Sequence, residues 1–172
     1  MSLEIDIIVT SDDWRSLEDL DPLSRRCIAA CVAESGARLA KNCEISITFC
    51  ADAEILELNA QWRGKNAATN VLSFPTPGAV DAKPLLGDIV IAYETVAREA
   101  QDQNKTLQAH VSHMIMHGFL HLIGYDHETA DEAEEMENLE RQIALSLGLS
   151  DPYAQSDDRA ADQPNKAHVN TI

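Results

Sequence analysis

Five of the six histidines fall between residues 110 and 127, in HVSHMIMHGFLHLIGYDH. At 100° per residue, His113, His117 and His121 project from one face of a helix. Side chains four apart are neighbours, so His117 and His121 offer two imidazoles to one ion. Gly124, three residues past His121, suits a helix end with positive φ and lets the chain turn back, bringing His127 as a third nitrogen. Three imidazoles and an open fourth position are the ligand set of a catalytic zinc site, whereas structural zinc usually has four protein ligands. One zinc ion per chain is therefore expected, although imidazole sites also accept nickel or copper. His110 and His113 are expected to pack, to hydrogen-bond a ligand's second nitrogen, or to face a partner.

The same histidine spacing occurs in metzincin proteases, where Glu follows the first His and serves as general base. Here that position is Gly118, and no Glu lies between the three histidines. A peptidase without this base lacks the proton shuttle that makes the metal site productive on amides. Asp126, beside the third histidine, either orients an imidazole or caps the turn. Ser73 has no glycine elbow around it, which argues against a serine nucleophile.

The elements that must position these groups can be read along the chain. Residues 3–9 alternate as a strand, and Asp21-Pro22 reads as an N-cap and first helical residue of a helix running to about residue 40. Residues 43–50 form a second strand, and Asp52 caps a helix through Trp62. Residues 69–74 and 87–93 are two further strands. Helices follow over about 94–102, 106–122 and 130–147, the last with Met136, Leu139, Ile143 and Leu147 at amphipathic spacing. The expected fold is α/β (α+β): one domain over 1–150, a small mixed four-stranded sheet, about five helices, and the metal site at the end of a late helix. Residues 151–172 are polar and aperiodic and read as a disordered tail.

At 172 residues the chain is long enough to bury one core without disulfides. The N-terminus has no basic n-region and no run of about 18 apolar residues spans a bilayer, so a cytoplasmic protein away from membranes is expected. Cys27, Cys31, Cys43 and Cys50 are then buried thiols; a metal site built on Cys27, Cys31 and Cys43 lacks the paired knuckles such sites use. The net charge of −16 argues against general nucleic-acid affinity. Its distribution is uneven: residues 128–140 hold seven acids, while Arg25, Arg26, Arg38, Lys41, Arg63 and Lys65 fall within about forty residues earlier on, as a local basic groove would require.

HGFLHLIGYDH (117–127) resembles the signature of the YbeY family, bacterial endoribonucleases of ribosomal RNA maturation. LNAQWRGKNAATNVLSFP (58–75) and GDIVIA (87–92) extend the likeness to about residues 45–140, with Asn70 at a position where Asp is also common. The resemblance implies a zinc-dependent, single-strand-specific endoribonuclease that processes the 3′ end of small-subunit rRNA and supports ribosome quality control. Ribosomal RNA and the ribosome or small-subunit proteins would be its partners, and DNA would not. By position it makes His117, His121 and His127 the metal ligands, with Arg63 and His117 as catalytic residues. Without it, Arg63 reads as a surface ion pair or a helix C-terminal cation. Asn59, one turn earlier, is placed to orient Arg63, and Trp62, Phe74 and Tyr125 are either core or stacking surfaces for unpaired bases. Two other readings use the same histidines: a metallopeptidase or small-molecule hydrolase, and a non-catalytic assembly factor with structural zinc.

Overall fold

A computed structural model describes residues 2–154. Strand β1 (Leu3–Val9) leads through a short 3-10 turn to helix α1 (Leu20–Ser35), followed by β2 (Cys43–Cys50) and α2 (Asp52–Arg63). Then come β3 (Val71–Pro75), β4 (Leu85–Ala92), α3 (Tyr93–Asp102), α4 (Leu107–Leu122) and α5 (Ala130–Ser146). The strands form one mixed sheet in the order β1-β2-β4-β3, in which β1, β2 and β4 are parallel and the edge strand β3 runs antiparallel to β4. This is the mixed four-stranded sheet with five helices expected from the sequence.

Period-two patterning sorts the strand residues between two layers. Ile45, Ile47, Ile89 and Ile91 face the main core with α1, α4 and α5, while Leu72, Val90 and Ala92 face a smaller cluster under Ile55 of α2. Helices α4 and α2 therefore cover opposite faces of the sheet. Between them the N-termini of α2 and α3 exchange bonds: the amide of Asp52 donates to Glu94, and the amide and hydroxyl of Thr95 donate to Asp52. The Asp52 carboxylate thus secures a neighbouring helix rather than capping its own.

Helix α1 departs from its expected bounds at both ends. Its N-cap is Asp19 (φ 59°), and Asp21 lies inside the first turn, with its carboxylate on Arg25. The helix stops at Gly36 (φ 66°), because a left-handed residue ends the ladder before residue 40.

Helix α4 is the centre of the molecule. All residues from His110 to Leu122 are buried, so its polar side chains must find partners inside the protein. Gly118 permits this depth: a Cβ there would lie 2.8 Å from Ile89 Cγ2 and 3.2 Å from Ser73 Oγ. Ser73 is itself buried and donates to the Gly118 carbonyl, a packing role that leaves no exposed nucleophile. Position 118 points into the sheet, so a general base of the metzincin type has no room here. Ala at 118 gains about 1 kcal/mol of helix propensity but overpacks against a stiff β-branched side chain, at about 1–3 kcal/mol. Gly118→Ala is expected to lower the urea midpoint of unfolding; a raised midpoint would contradict this close approach.

Candidate metal centre

Two turns of α4 and the loop beyond it build the centre. The C-terminus of α4 closes as a Schellman turn, with Gly124 (φ 104°) donating to the His121 carbonyl and Tyr125 to that of Leu120. Asp126 accepts from the amide of His127, so it shapes the turn. The result is convergence: ligating atoms of His117, His121 and His127 lie within 4.8 Å of one another. The Nε2 atoms of His117 and His121 are 3.1 Å apart, near the roughly 3.3 Å that two nitrogens would span around a tetrahedral ion with 2.0–2.1 Å bonds. His117 and His121 are 3% and 6% exposed, whereas His127 is exposed. Two of the three candidate ligands are thus fixed in the interior and the third is solvent-facing.

Electrostatics favour the neutral, ligating form of His121. Burial, and then the neighbouring His117 and His127 imidazoles, lower its pKa to about 4. The donor set, three imidazoles without a thiolate, fits zinc.

His113 turns away from this group. It binds Glu140 of α5, and the same carboxylate accepts from His117 Nδ1 at 2.9 Å. His110 pairs with Glu99 of α3 at 3.0 Å. Glu140 is a site residue that the sequence reading missed within its acidic run. Its position was the available signal: it lies four residues after Met136 and three before Ile143, both buried, on the apolar stripe of an amphipathic helix.

Arg63 is the last residue of α2, on the face of the sheet opposite α4 and next to the loop leading into edge strand β3. Burial lowers its pKa, and its Nε lacks a hydrogen-bond partner among the described residues. Asn59 does not orient it through its amide nitrogen, which donates to the Ala67 carbonyl. Trp62 is 64% exposed and meets Phe74 edge-on with ring centroids 6.4 Å apart. Tyr125 lines a groove of about 480 Å³ that also contains Arg38 and four carboxylates, Asp81, Asp126, Glu132 and Glu135. That groove is acidic, not basic, and Arg25 is engaged with Asp21 and the Ile5 carbonyl.

The four cysteines are buried free thiols. Burial pushes Cys27 up to about 11 and Cys50 up to about 12, and no metal-capable group among the described residues includes a cysteine.

Converging imidazoles with a solvent-facing side suit a Lewis-acidic metal that keeps room for water, the donor set of metal-dependent hydrolases. Comparison with known proteins narrows the class. The family model described as endoribonuclease YbeY matches residues 9–148. Endoribonuclease YbeY of Methylocella silvestris is 54% identical over 149 residues, covering 87% of this chain and 85% of the relative. That of Rhodopseudomonas palustris is 46% identical over 165 residues, with 93% and 95% covered. The chain belongs to the endoribonuclease YbeY family. A solution structure from Thermotoga maritima shares the fold, with a TM-score of 0.53 at 24% identity over 88% of this chain and 99% of that one.

Proposed function

We propose that this chain is a zinc-dependent, single-strand-specific endoribonuclease that matures ribosomal RNA at the small-subunit 3′ end and contributes to ribosome quality control. The observation that carries this reading is the convergence of His117, His121 and His127 within 4.8 Å at a half-open position, in a chain whose relatives are named endoribonucleases. No helix among the described residues is long and apolar enough to cross a membrane; the site of action in this reading is the cytoplasm, with ribosomal RNA and the ribosome as partners. The catalytic domain spans residues 1–150. Of the proposed tail, Tyr153 is in place with its hydroxyl donating to Glu140, and 155–172 lie outside the described residues.

His117, His121 and His127 hold the ion, His117 thereby also serving catalysis. When bound, zinc supplies Lewis acidity toward a phosphoryl oxygen and toward water. Arg63 offers a planar fork that matches two nonbridging phosphate oxygens. Its assignment is supported by position in the family motif and by an Nε without a partner among the described residues. The groove beside Tyr125 is acidic, so the cations proposed to neutralise phosphate are the ion and Arg63, and exposed Trp62 is suited to stack an unpaired base.

Purified protein incubated with single-stranded rRNA fragments should cleave them, lose this activity to a chelator and regain it with zinc. A zinc-loaded preparation that never cleaves, with contaminating nucleases excluded, would support a structural ion in an assembly factor.

A further inference from the structure

The carboxylate of Glu140 is the meeting point of three elements. It is completely buried, and its Oε1 lies 2.9 Å from His117 Nδ1 on α4. Its Oε2 binds His113 Nε2, one turn earlier on the same helix, and accepts from the Tyr153 hydroxyl at 2.9 Å. Tyr153 belongs to the segment after α5, which is pinned by Lys105 donating to the Pro152 carbonyl and by the Arg141 guanidinium 5.2 Å above the tyrosine ring.

We propose that Glu140 is the positioning residue of the metal centre, fixing the tautomer and ring angle of His117, with His113 and Tyr153 holding the carboxylate in place. This rests on the metal-binding reading given above. The 2.9 Å contact commits His117 Nδ1 to the Glu140 carboxylate, whose other oxygen is already taken by His113 and Tyr153, so that Nδ1 is the nitrogen that donates and Nε2 the one left for an ion. The lone pair then sits on Nε2, the atom 3.1 Å from His121 Nε2. A ligand imidazole anchored in this way is both oriented and made more basic. His113, His117 and Glu140 also lie close enough to hold an ion themselves, but both imidazoles already spend a nitrogen on the carboxylate. An ion there would require His117 to give up its Nδ1 proton and bridge two metals.

The test uses the full chain and zinc as the probe, with affinity and stoichiometry read by competition against a chromophoric chelator and apo-protein melting read alongside. Wild type should bind one zinc. Glu140→Gln should fold yet bind zinc about 10–100-fold more weakly, and Glu140→Asp should recover part of the loss. Tyr153→Phe, which leaves both imidazole bonds intact, should lose much less. A merely structural Glu140 predicts lower melting in the Gln variant with zinc affinity unchanged, and that result overturns the proposal. Two zinc ions per wild-type chain, with one lost in Glu140→Gln, also overturns it. Should the Gln variant not fold, nitrogen-15 spectra of wild-type apo-protein decide: an Nδ1–H tautomer at His117 supports the assignment and an Nε2–H tautomer refutes it. Wild type that takes up no zinc would remove the metal-binding reading itself, whereas normal zinc affinity in the Gln variant removes only the role of Glu140.

Discussion

Replacing His121 by Ala should strip the protein of zinc and abolish RNA cleavage. His121 is the middle member of the trio: its ring centroid is 4.7 Å from that of His117 and 5.1 Å from that of His127. Removing it leaves one interior nitrogen on α4 and one on an exposed loop, an arrangement that no longer surrounds an ion. Zinc binding is worth roughly 10–16 kcal/mol in sites whose metal drives folding. Here the hydrophobic core around α4 stands independently of the ion, so the variant should remain folded while its metal content falls to background. The informative pair of measurements is zinc per folded chain after dialysis and melting temperature without metal. His110, bonded to Glu99, is the matched control, since its substitution should leave zinc in place. Stoichiometric zinc in a folded His121→Ala protein would remove the three-histidine assignment.

The histidine trio was legible in the sequence because its logic is local. Spacing of four on a helix and a glycine three residues later determine where His117, His121 and His127 can go, and the structure places Gly124 in the left-handed turn that this requires. Strand β2 was legible for the same reason, since Cys43, Ile45, Ile47 and Phe49 alternate inward. What stayed hidden depends on tertiary contacts. The partner of His117 comes from another helix, 23 residues further on, and sits among acids that look solvated until the burial of one of them is known. The end of α1 was misplaced because apolar residues continue past Gly36 and the backbone conformation of one glycine outweighed them. The charge around the centre was hidden for a related reason: sequence proximity does not say which side chains converge, and the groove beside Tyr125 gathers four carboxylates around Arg38.

That charge distribution concentrates the remaining test on one residue. If Arg63 neutralises the phosphoryl group in the transition state, Arg63→Ala should keep its fold and its zinc and lose about 10²–10³ in cleavage rate, roughly 3–4 kcal/mol. Arg63→Lys should recover part of this, because a point charge replaces a planar fork. The competing account is structural. Arg63 ends α2, where a cation interacts favourably with the helix dipole by about 0.3–1 kcal/mol; its loss would then shift melting slightly and leave cleavage per folded molecule unchanged. The two accounts are separable because Arg63 ends α2 and the three imidazoles come from α4 and the loop after it, so removing the guanidinium takes no nitrogen from the metal centre. Its Nε, buried and without a partner among the described residues, would gain one from a phosphate oxygen, which predicts that bound RNA protects wild type against thermal unfolding more than it protects Arg63→Ala. Melting, zinc content and single-turnover cleavage measured on wild type, the Ala variant and the Lys variant give three distinct patterns. Full cleavage by a folded, zinc-loaded Arg63→Ala protein would break the link between this arginine and phosphodiester chemistry, and would leave neutralisation of the phosphate to the ion alone.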